Sequence, residues 1–121
     1  MAAFAPLAMK RAATFADGWM PVGVSVDQLT SMSVQIKGLV KSAGRDPTAF
    51  KIVARYNIDV RPQPLGKERN FCSGTLDQIK EDIRAVKDAK PDELIIDPTF
   101  SADSQTEEGF LRNLEQIRKM V

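Results

Sequence analysis

The segment R-A-A-T-F-A-D-G-W-M-P, Arg11 to Pro21, decides the fold of this chain because it joins an amphipathic helix to a short apolar strand. Upstream of it, Pro6 suits a first helical turn, and apolar residues recur at helical spacing as far as Phe15. Gly18 is the expected left-handed cap of that helix. Residues 19–22, W-M-P-V, predict a short buried strand whose proline marks its exit.

The alternation of helix and strand continues downstream of this segment. Ser25 and Gln28 form a capping box, and the apolar spacing behind them predicts a helix that ends near Gly44. Residues 50–58, F-K-I-V-A-R-Y-N-I, have the β-branched and aromatic character of a strand. The stretch from Asp59 to Asn70 contains two prolines, a glycine and several charged side chains, and it predicts a surface loop.

A second capping box, Thr75 with Gln78, opens another helix, which is followed by the apolar run E-L-I-I-D-P at residues 93–98. Such a run is typical of a strand that is covered on both faces in a parallel sheet. A polar loop at residues 99–105 leads to an amphipathic helix that reaches Met120. The predicted order is α-β-α-β-α-β-α, and strands separated by helices of crossover length pair in parallel with right-handed connections.

Size and charge limit what this chain does alone. Its 121 residues, 43% hydrophobic and 27% charged, predict one globular domain over residues 1–121. A closed (β/α)8 barrel typically needs about 200 residues or more. The formal net charge is +1, and basic residues alternate with acidic ones, so no nucleic-acid partner is expected.

Cysteine and histidine usage exclude several kinds of site. Cys72 is the only cysteine, so we interpret it as a small, partly buried residue in a protein of the reducing cytoplasm. The chain contains no histidine, which removes the commonest general base and the commonest metal ligand, and no metal site is predicted. No apolar run reaches the ~18 residues of a membrane span, so no membrane partner is expected either.

Four motifs follow one another along the chain. P-x-A-x-x-R-A-A-x-x-A-D-G-W-M-P spans residues 6–21, A-G-R-D-P spans 43–47, G-T-x-x-Q-I-x-E-D spans 74–82, and D-E-L-I-I-D spans 92–97. In this order the motifs resemble the C-terminal part of luciferase-like monooxygenases, members of the bacterial luciferase superfamily that depend on a flavin or a deazaflavin. Each motif is weak by itself, and their common order makes the resemblance more specific.

The resemblance implies an α/β fold, namely a partial (β/α) TIM-type barrel with about three parallel strands and four helices that is completed by oligomerisation. A fourth strand formed by the N-terminal residues is an open alternative. The implied cofactor is FMN or a deazaflavin, with Gly18, Trp19 and Asp97 as cofactor-binding residues and no catalytic residue assigned. The family holds the cofactor phosphate with a pair of glycines, and Ala2 and Ala3 stand at the corresponding positions here.

The sequence leaves two interpretations open for each of these sites. Gly18 and Trp19 are either the floor of a cofactor pocket or a helix stop followed by a core tryptophan. Asp97 is either a functional group at a strand end, where barrel enzymes keep such groups, or part of an Asp-Pro turn. Arg55 and Asn57 share a strand face and either line a polar pocket or form a solvated surface.

Two functions from different classes follow from these observations. The first is a segment of a luciferase-like, flavin- or deazaflavin-dependent oxidoreductase or monooxygenase that is inactive as an isolated chain. The alternative is a noncatalytic dimeric assembly, or a small-ligand-binding protein, derived from the same fold. The sequence leaves open whether the chain is an enzyme, which substrate it would use and whether the chain is complete.

The expected partners follow from an apolar face of the predicted sheet. The sequence predicts that one apolar face of the sheet has no covering layer within a single copy, namely Ile52, Ala54, Tyr56, Leu94 and Ile96. We therefore expect a homodimer, or a separate chain that supplies the missing barrel strands.

Overall fold

The computed structural model describes residues 5–120 and confirms the predicted alternation of helices and strands. Helices α1 (Pro6–Phe15), α2 (Val26–Ser42), α3 (Leu76–Asp88) and α4 (Glu107–Met120) alternate with strands β1 (Gly18–Trp19), β2 (Lys51–Asn57) and β5 (Glu93–Asp97). Two further strands, β3 (Asp59–Val60) and β4 (Ser73–Gly74), and two 3-10 turns, Pro47–Ala49 and Ala102–Gln105, complete the described part of the chain. The alternative of an N-terminal fourth strand lies outside the described residues.

The main sheet is parallel and has the strand order β1-β2-β5. Gly18 lies opposite Lys51 and Trp19 lies opposite Ile52, so β1 and β2 pair at their amino ends. Strand β1 is shorter than predicted, because beyond Trp19 the chain returns to β2 only through an isolated bridge at Val22. The intervening proline has no N–H to donate to a continuous ladder.

Strand β5 follows the other edge of β2. The Asp92 N–H donates to the Ile52 carbonyl oxygen at 2.9 Å, and the Ile58 N–H donates to the Asp97 carbonyl oxygen at the same distance. The Asp92 carboxylate also accepts the Ile52 N–H at 2.8 Å. The strand predicted at residues 93–98 is therefore present and ends one residue before its proline.

A second, two-stranded parallel sheet lies where the sequence predicts only a loop. Asp59 pairs with Ser73 and Val60 pairs with Gly74. The prediction of an uninterrupted loop from Asp59 is therefore wrong at its beginning. A strand of two residues has no alternating pattern to read, and its pairing with a segment distant in sequence is visible only in the folded chain.

Both predicted capping boxes are present. The Ser25 hydroxyl accepts the Gln28 N–H at 3.1 Å, and the Gln28 amide oxygen accepts the Ser25 N–H at 3.0 Å. Thr75 and Gln78 exchange the corresponding pair of bonds at 3.3 and 3.1 Å. These reciprocal bonds satisfy backbone donors that an isolated helix start would leave open, so α2 and α3 begin where the sequence predicts.

The described residues divide into two compact units. The first contains the chain up to Arg55 together with Ala89–Ile95, and its helix α1 packs against α2. The second contains Tyr56–Asp88 and the residues from Ile96 onward. The core of the first unit includes Met9, Trp19, Leu29, Ile36, Val40, Phe50 and Ile52, and that of the second includes Tyr56, Ile58, Ile79, Ile83 and Val86. The expected single domain over residues 1–121 stays a prediction.

The prediction that the apolar face of β2 lacks a covering layer is wrong. Ile52, Ala54 and Tyr56 are 3%, 0% and 1% exposed, so the chain itself buries the face that was predicted to lack a partner layer. Leu94 and Ile96 of β5 are half-buried. The prediction failed because the alternation along a strand separates two faces without telling which of them the helices cover. The apolar side chain that stays exposed in β5 is Ile95.

Candidate functional site

One cleft of about 500 Å³ lies in the first unit, at the amino ends of β1 and β2. Its walls are formed by Ala16, Asp17, Gly18, Trp19, Met20, Lys51 and Val53. The sequence resemblance assigns cofactor contacts to two of these residues, so we name it the Gly18 cleft. Barrel enzymes place their functional groups at the opposite, carboxyl ends of the strands.

Trp19 contributes mainly to the core below this cleft. The residue is 0% exposed, and it stands opposite Ile52, which belongs to the buried face of β2. A ligand in the Gly18 cleft therefore has little access to the indole. Of the two interpretations that the sequence left open, this burial supports the core tryptophan, while cofactor binding by Trp19 stays a prediction.

Gly18 has a packing role that differs from its predicted one. Among the described residues, the glycines with a positive φ are Gly23, Gly44 and Gly74, so Gly18 is not a left-handed cap. Helix α1 instead ends at Phe15, and its C-cap residue Ala16 has an extended backbone. A Cβ atom at Gly18 would collide with the carbonyl oxygen of the facing lysine in β2. Glycine is needed here because two backbones approach closely, and not because of its φ.

The A-G-R-D-P motif also has a structural role. The Arg45 guanidinium donates from Nη1 to the Ala13 carbonyl oxygen near the end of α1, at 2.8 Å. Asp46 caps the following turn by accepting the Thr48 N–H at 2.9 Å and the Thr48 hydroxyl at 2.7 Å. These hydrogen bonds from Thr48 lower the pKa of Asp46. The motif thus fastens the turn before β2 to the helix before β1.

A larger cleft of about 690 Å³ lies in the second unit, beyond the carboxyl ends of β2 and β5. Its walls are formed by Val60, Arg61, Pro62, Thr75, Leu76, Asp77, Ala102, Asp103, Arg112 and Gln116. We name it the Arg112 cleft. Functional groups of barrel enzymes concentrate at this end of the strands, and the volume lies in the range of about 300–1,000 Å³ that is usual for small-molecule sites.

Charges in the Arg112 cleft nearly cancel. Two arginines and two aspartates line it. Arg61 already pairs with Asp59, through Nε at 2.8 Å and Nη2 at 2.7 Å, whereas Arg112 forms no ion pair with any residue in 5–120. The first turn of α3, at Thr75, adds backbone N–H groups and the positive end of the helix dipole. The cleft therefore offers donors and acceptors together and is suited to a polar, uncharged or zwitterionic group.

Asp97 is committed to a turn. Its carboxylate accepts the Thr99 N–H at 2.9 Å, and its carbonyl oxygen accepts the Ile58 N–H at 2.9 Å. Asp97 lines neither of the two clefts. This geometry supports the interpretation as an Asp-Pro turn, while the cofactor contact stays a prediction. In β2, Asn57 is exposed and Arg55 is half-buried.

Burial raises the pKa values of two side chains in the second unit. The pKa of Tyr56 is raised to about 12, mainly because the side chain is buried and to a smaller extent because of the negative charge of an ionised Cys72. The pKa of the Cys72 thiol is also raised to about 12, mainly by burial and to a smaller extent by the negative charge of the Asp82 carboxylate. The Tyr56 ring meets Phe71 edge-on, with centroids 5.3 Å apart. Cys72 is therefore a protonated thiol at neutral pH and is not suited to act as a nucleophile.

The predicted site residues are only partly brought together. Gly18 and Trp19 share one cleft, Asp97 lies apart from it, and Ala2 and Ala3 lie outside the described residues. The residues of the Arg112 cleft were not predicted. One signal for them was present, because a capping box that follows a strand and a loop places a helix N-terminus at the carboxyl end of that strand.

Residues 5–120 form neither a cluster of metal ligands nor a helix suited to crossing a membrane. No three histidine, cysteine, aspartate or glutamate side chains in this part of the chain come close enough to hold a metal ion. None of the helices described combines the length and the apolar character that a membrane crossing requires.

Solved structures provide the informative comparison with known proteins. No protein-family model matches the chain, and no curated protein is significantly similar to it. An F420-dependent secondary alcohol dehydrogenase in complex with an F420-acetone adduct superposes with a TM-score of 0.67 at 14% identity, over 86% of this chain. A long-chain alkane monooxygenase gives 0.65 at 14% identity over 94%, and the coenzyme F420-dependent tetrahydromethanopterin reductase from Methanopyrus kandleri gives 0.71 at 12% identity over 100%.

These neighbours are luciferase-like barrels, and all three are much longer than the present chain. The matched region spans 43%, 38% and 49% of their respective lengths. Identities this low establish the fold and nothing finer. At that level the resemblance predicted from the sequence is confirmed, and the chain has the α/β fold of part of a luciferase-like (β/α) barrel.

Proposed function

We propose that this chain is a segment of a flavin- or deazaflavin-dependent oxidoreductase or monooxygenase that forms its complete site only with additional barrel strands. The observation that carries the proposal is the superposition on three redox proteins, two of which are named for F420, over 86–100% of this chain. The chain spans less than half of each neighbour, which supports the need for further strands. A cytoplasmic location, supported by the single free Cys72, belongs to the same proposal.

The proposed source of the additional strands is a second copy of the chain or another polypeptide. Strands β1 and β5 are the edges of the described three-stranded sheet, and sheet edges present backbone groups that favour pairing with a further strand. Ile95 of β5 is 40% exposed, which gives the interface an apolar contact. A homodimer satisfies both features with the smallest number of components.

The cofactor contacts are the finer part of the proposal. A flavin or deazaflavin supplies hydride transfer, and the chain binds and orients it. Trp19 is buried and the Asp97 carboxylate bonds within a turn, so backbone atoms beside Gly18 would provide the contact in the Gly18 cleft. The resemblance assigns the phosphate contact to the positions of Ala2 and Ala3 and not to these three residues. The fit of the whole cofactor therefore depends on groups outside this set.

Trp19 allows a direct test, because it is the only tryptophan in the chain. The purified chain is titrated with FMN and, separately, with F420 while indole emission is corrected for ligand absorbance. Binding in the Gly18 cleft is expected to quench the emission saturably, and Gly18→Val is expected to weaken that quenching. Phe15→Ala serves as the control, because Phe15 lies on the same unit, is 80% exposed and lines neither cleft. Unchanged emission with both ligands, in protein that light scattering shows to be associated, contradicts the proposal for this chain.

A noncatalytic dimeric assembly, or a small-ligand-binding protein, is the second candidate. The absence of histidine from the chain and the burial of Trp19 favour it. This candidate predicts stable association without uptake of either redox cofactor. Light scattering combined with the visible spectrum separates the two, because bound flavin absorbs blue light. An associated, colourless protein that takes up neither FMN nor F420 supports the second candidate.

A further inference from the structure

Residues 62–72 connect β3 to β4 and begin at the edge of the Arg112 cleft. We name this segment the strap. Pro62 at its beginning lines the cleft, and residues 61–68 are all exposed. The strap thus has few buried contacts of its own, and its position depends on the side chains that hold it. Two residues of α3, one turn apart, anchor the strap by hydrogen bonds at different points, and near its end the Phe71 ring also contacts Tyr56.

The first anchor is Gln78. Its amide nitrogen donates to the Leu65 carbonyl oxygen at 2.9 Å, and its amide oxygen accepts the Leu65 N–H at 3.1 Å. The same oxygen accepts the Thr75 N–H of the capping box. Gly74 leaves room for this side chain, because a Cβ atom there would collide with the Gln78 amide oxygen. One side chain therefore joins the helix start to the middle of the strap.

The second anchor is Asp82, which is 8% exposed. Its carboxylate accepts two bonds from the Arg69 guanidinium, at 2.6 and 2.9 Å, and a third from the Cys72 N–H at 2.9 Å. Arg69 also donates to the Ser73 carbonyl oxygen at 3.1 Å. The bidentate geometry is the strongest form of an arginine–carboxylate contact.

Cys72 adds a second reason why Asp82 matters. This residue has a φ of 63°, a left-handed conformation that is unfavourable for a side chain with a Cβ atom. Its N–H is held by the buried carboxylate, and its side chain is 0% exposed. Without Asp82, the Cys72 N–H loses its acceptor and Arg69 keeps the Ser73 carbonyl oxygen but loses its ion pair, while the other anchor is unaffected. The unfavourable backbone conformation of Cys72 then favours release of the carboxyl-terminal end of the strap.

We propose that the carboxyl-terminal part of the strap, residues 69–72, opens locally at a latch formed by the Arg69–Asp82 pair, and that Asp82 is a positioning residue that keeps Cys72 buried. The inference is independent of any cofactor and of the oligomeric state. Opening at the latch uncovers Cys72, whereas the Gln78 anchor keeps Leu65 in place.

The chain's single cysteine reports this opening directly. In the wild type, Cys72 is expected to react slowly with Ellman's reagent, because it is buried. Asp82→Asn is expected to raise the labelling rate by at least about tenfold, since a charged hydrogen-bonded contact is lost. Asp88→Asn is the matched control, because Asp88 is an exposed acidic residue on the same helix and forms no hydrogen bond to the strap. Arg69→Lys keeps the charge and is expected to fall between the wild type and Asp82→Asn.

Denaturant separates local opening from global unfolding. Labelling through the strap is expected to depend weakly on urea, whereas labelling through unfolding follows the full denaturant slope of the protein. An unchanged rate in Asp82→Asn overturns the proposal, and so does a faster rate with the full urea dependence. If Asp82→Asn does not fold, Gln78→Ala is used instead. That variant is expected to speed tryptic cleavage after Lys67 while Cys72 labelling stays slow, and equal acceleration of both contradicts two separate anchors.

Discussion

The Gly18 cleft and the Arg112 cleft differ in what forms their walls. In the first, backbone faces backbone, because β1 can approach β2 only with glycine at position 18, and the neighbouring Trp19 is fully buried. In the second, the walls are side chains carried by loops and helix starts beyond the strand ends, and Arg112 has no ion-pair partner among residues 5–120.

This contrast shows that the most recognisable residues of the sequence are not the residues whose side chains are accessible to a ligand. The A-D-G-W stretch is the most recognisable part of the chain, yet its side chains pack into the core or permit a close strand contact. The loop after β2 has no recognisable motif, yet it borders the larger cleft. Loops over a rigid scaffold tolerate change and carry function, whereas core positions keep their residues for packing. The four predictions below test this contrast, beginning with the largest effect.

Replacement of Trp19 by alanine is expected to have the largest effect on stability. The residue is 0% exposed, and truncation of a buried tryptophan typically costs about 3–5 kcal/mol of unfolding free energy. Urea unfolding followed by far-ultraviolet circular dichroism measures the loss. Phe15→Ala is the control, because Phe15 is 80% exposed and its loss should stay within about 0.5 kcal/mol. Equal losses for the two variants would show that the first unit is not packed around Trp19.

Replacement of Gly18 by alanine tests the close strand contact. The added Cβ atom meets the Lys51 carbonyl oxygen, and overpacking of this kind costs about 1–3 kcal/mol. Gly66→Ala in the strap is the matched control, because a Cβ atom at Gly66 meets nothing within 4 Å and Gly66 has no positive φ. Its effect should stay within about 0.5 kcal/mol. If Gly18→Ala is as mild as Gly66→Ala, the backbone of the first cleft is not tightly fitted.

Alkaline pH is expected to destabilise the second unit through Tyr56 and Cys72. Folding raises their pKa values from 10.0 and 9.0 to about 12, so the unfolded chain loses these protons first. Their contribution to stability is complete below pH 9.0 and is lost as the pH rises toward about 12. Urea unfolding at a series of pH values measures the slope. The double variant Tyr56→Phe, Cys72→Ala should show a flatter dependence over this range, and an identical slope would contradict the assignment.

Ile95→Asp is expected to have the smallest effect on folding and a clear effect on association. Ile95 is 40% exposed, so the unfolding free energy should change by only about 0.5 kcal/mol. If the sheet face of β5 is an interface, the variant should approach the monomer mass of 13.4 kDa in light scattering. Leu111→Asp is the control, since Leu111 is a 55% exposed residue of α4 and should leave the mass unchanged. A wild-type mass of 13.4 kDa would contradict the proposed dimer.

Local features explain which parts of the fold were predictable. The capping boxes at Ser25 and Thr75 and the apolar spacing behind them depend on residues within one or two helical turns. The β-branched and aromatic character of residues 50–58 likewise identified β2 from a single window. The order of helices and strands then required parallel pairing, so the sequence led to the partial barrel that the structural comparison confirms at the level of fold.

The candidate sites depended on contacts that no single window contains. Asp82 meets Arg69 and Cys72 across the chain, and neither spacing is a recognised motif. The exposed face of the sheet and the packing role of Gly18 likewise follow from strand register. The main error was the choice of the buried face of the sheet. A strand pattern shows that the two faces differ without showing which one the helices cover.

The sequence by itself determined the order of the helices and of the main-sheet strands, the capped helix starts and the class of fold, because these follow from hydrogen bonds and apolar spacing between near neighbours. Tertiary structure alone decided that Trp19 is core, that Ile52 and Ala54 face inward, and that the strap borders a cleft. Those outcomes depend on contacts between segments that are distant in sequence. Such contacts stabilise the protein only after folding has brought the two segments together.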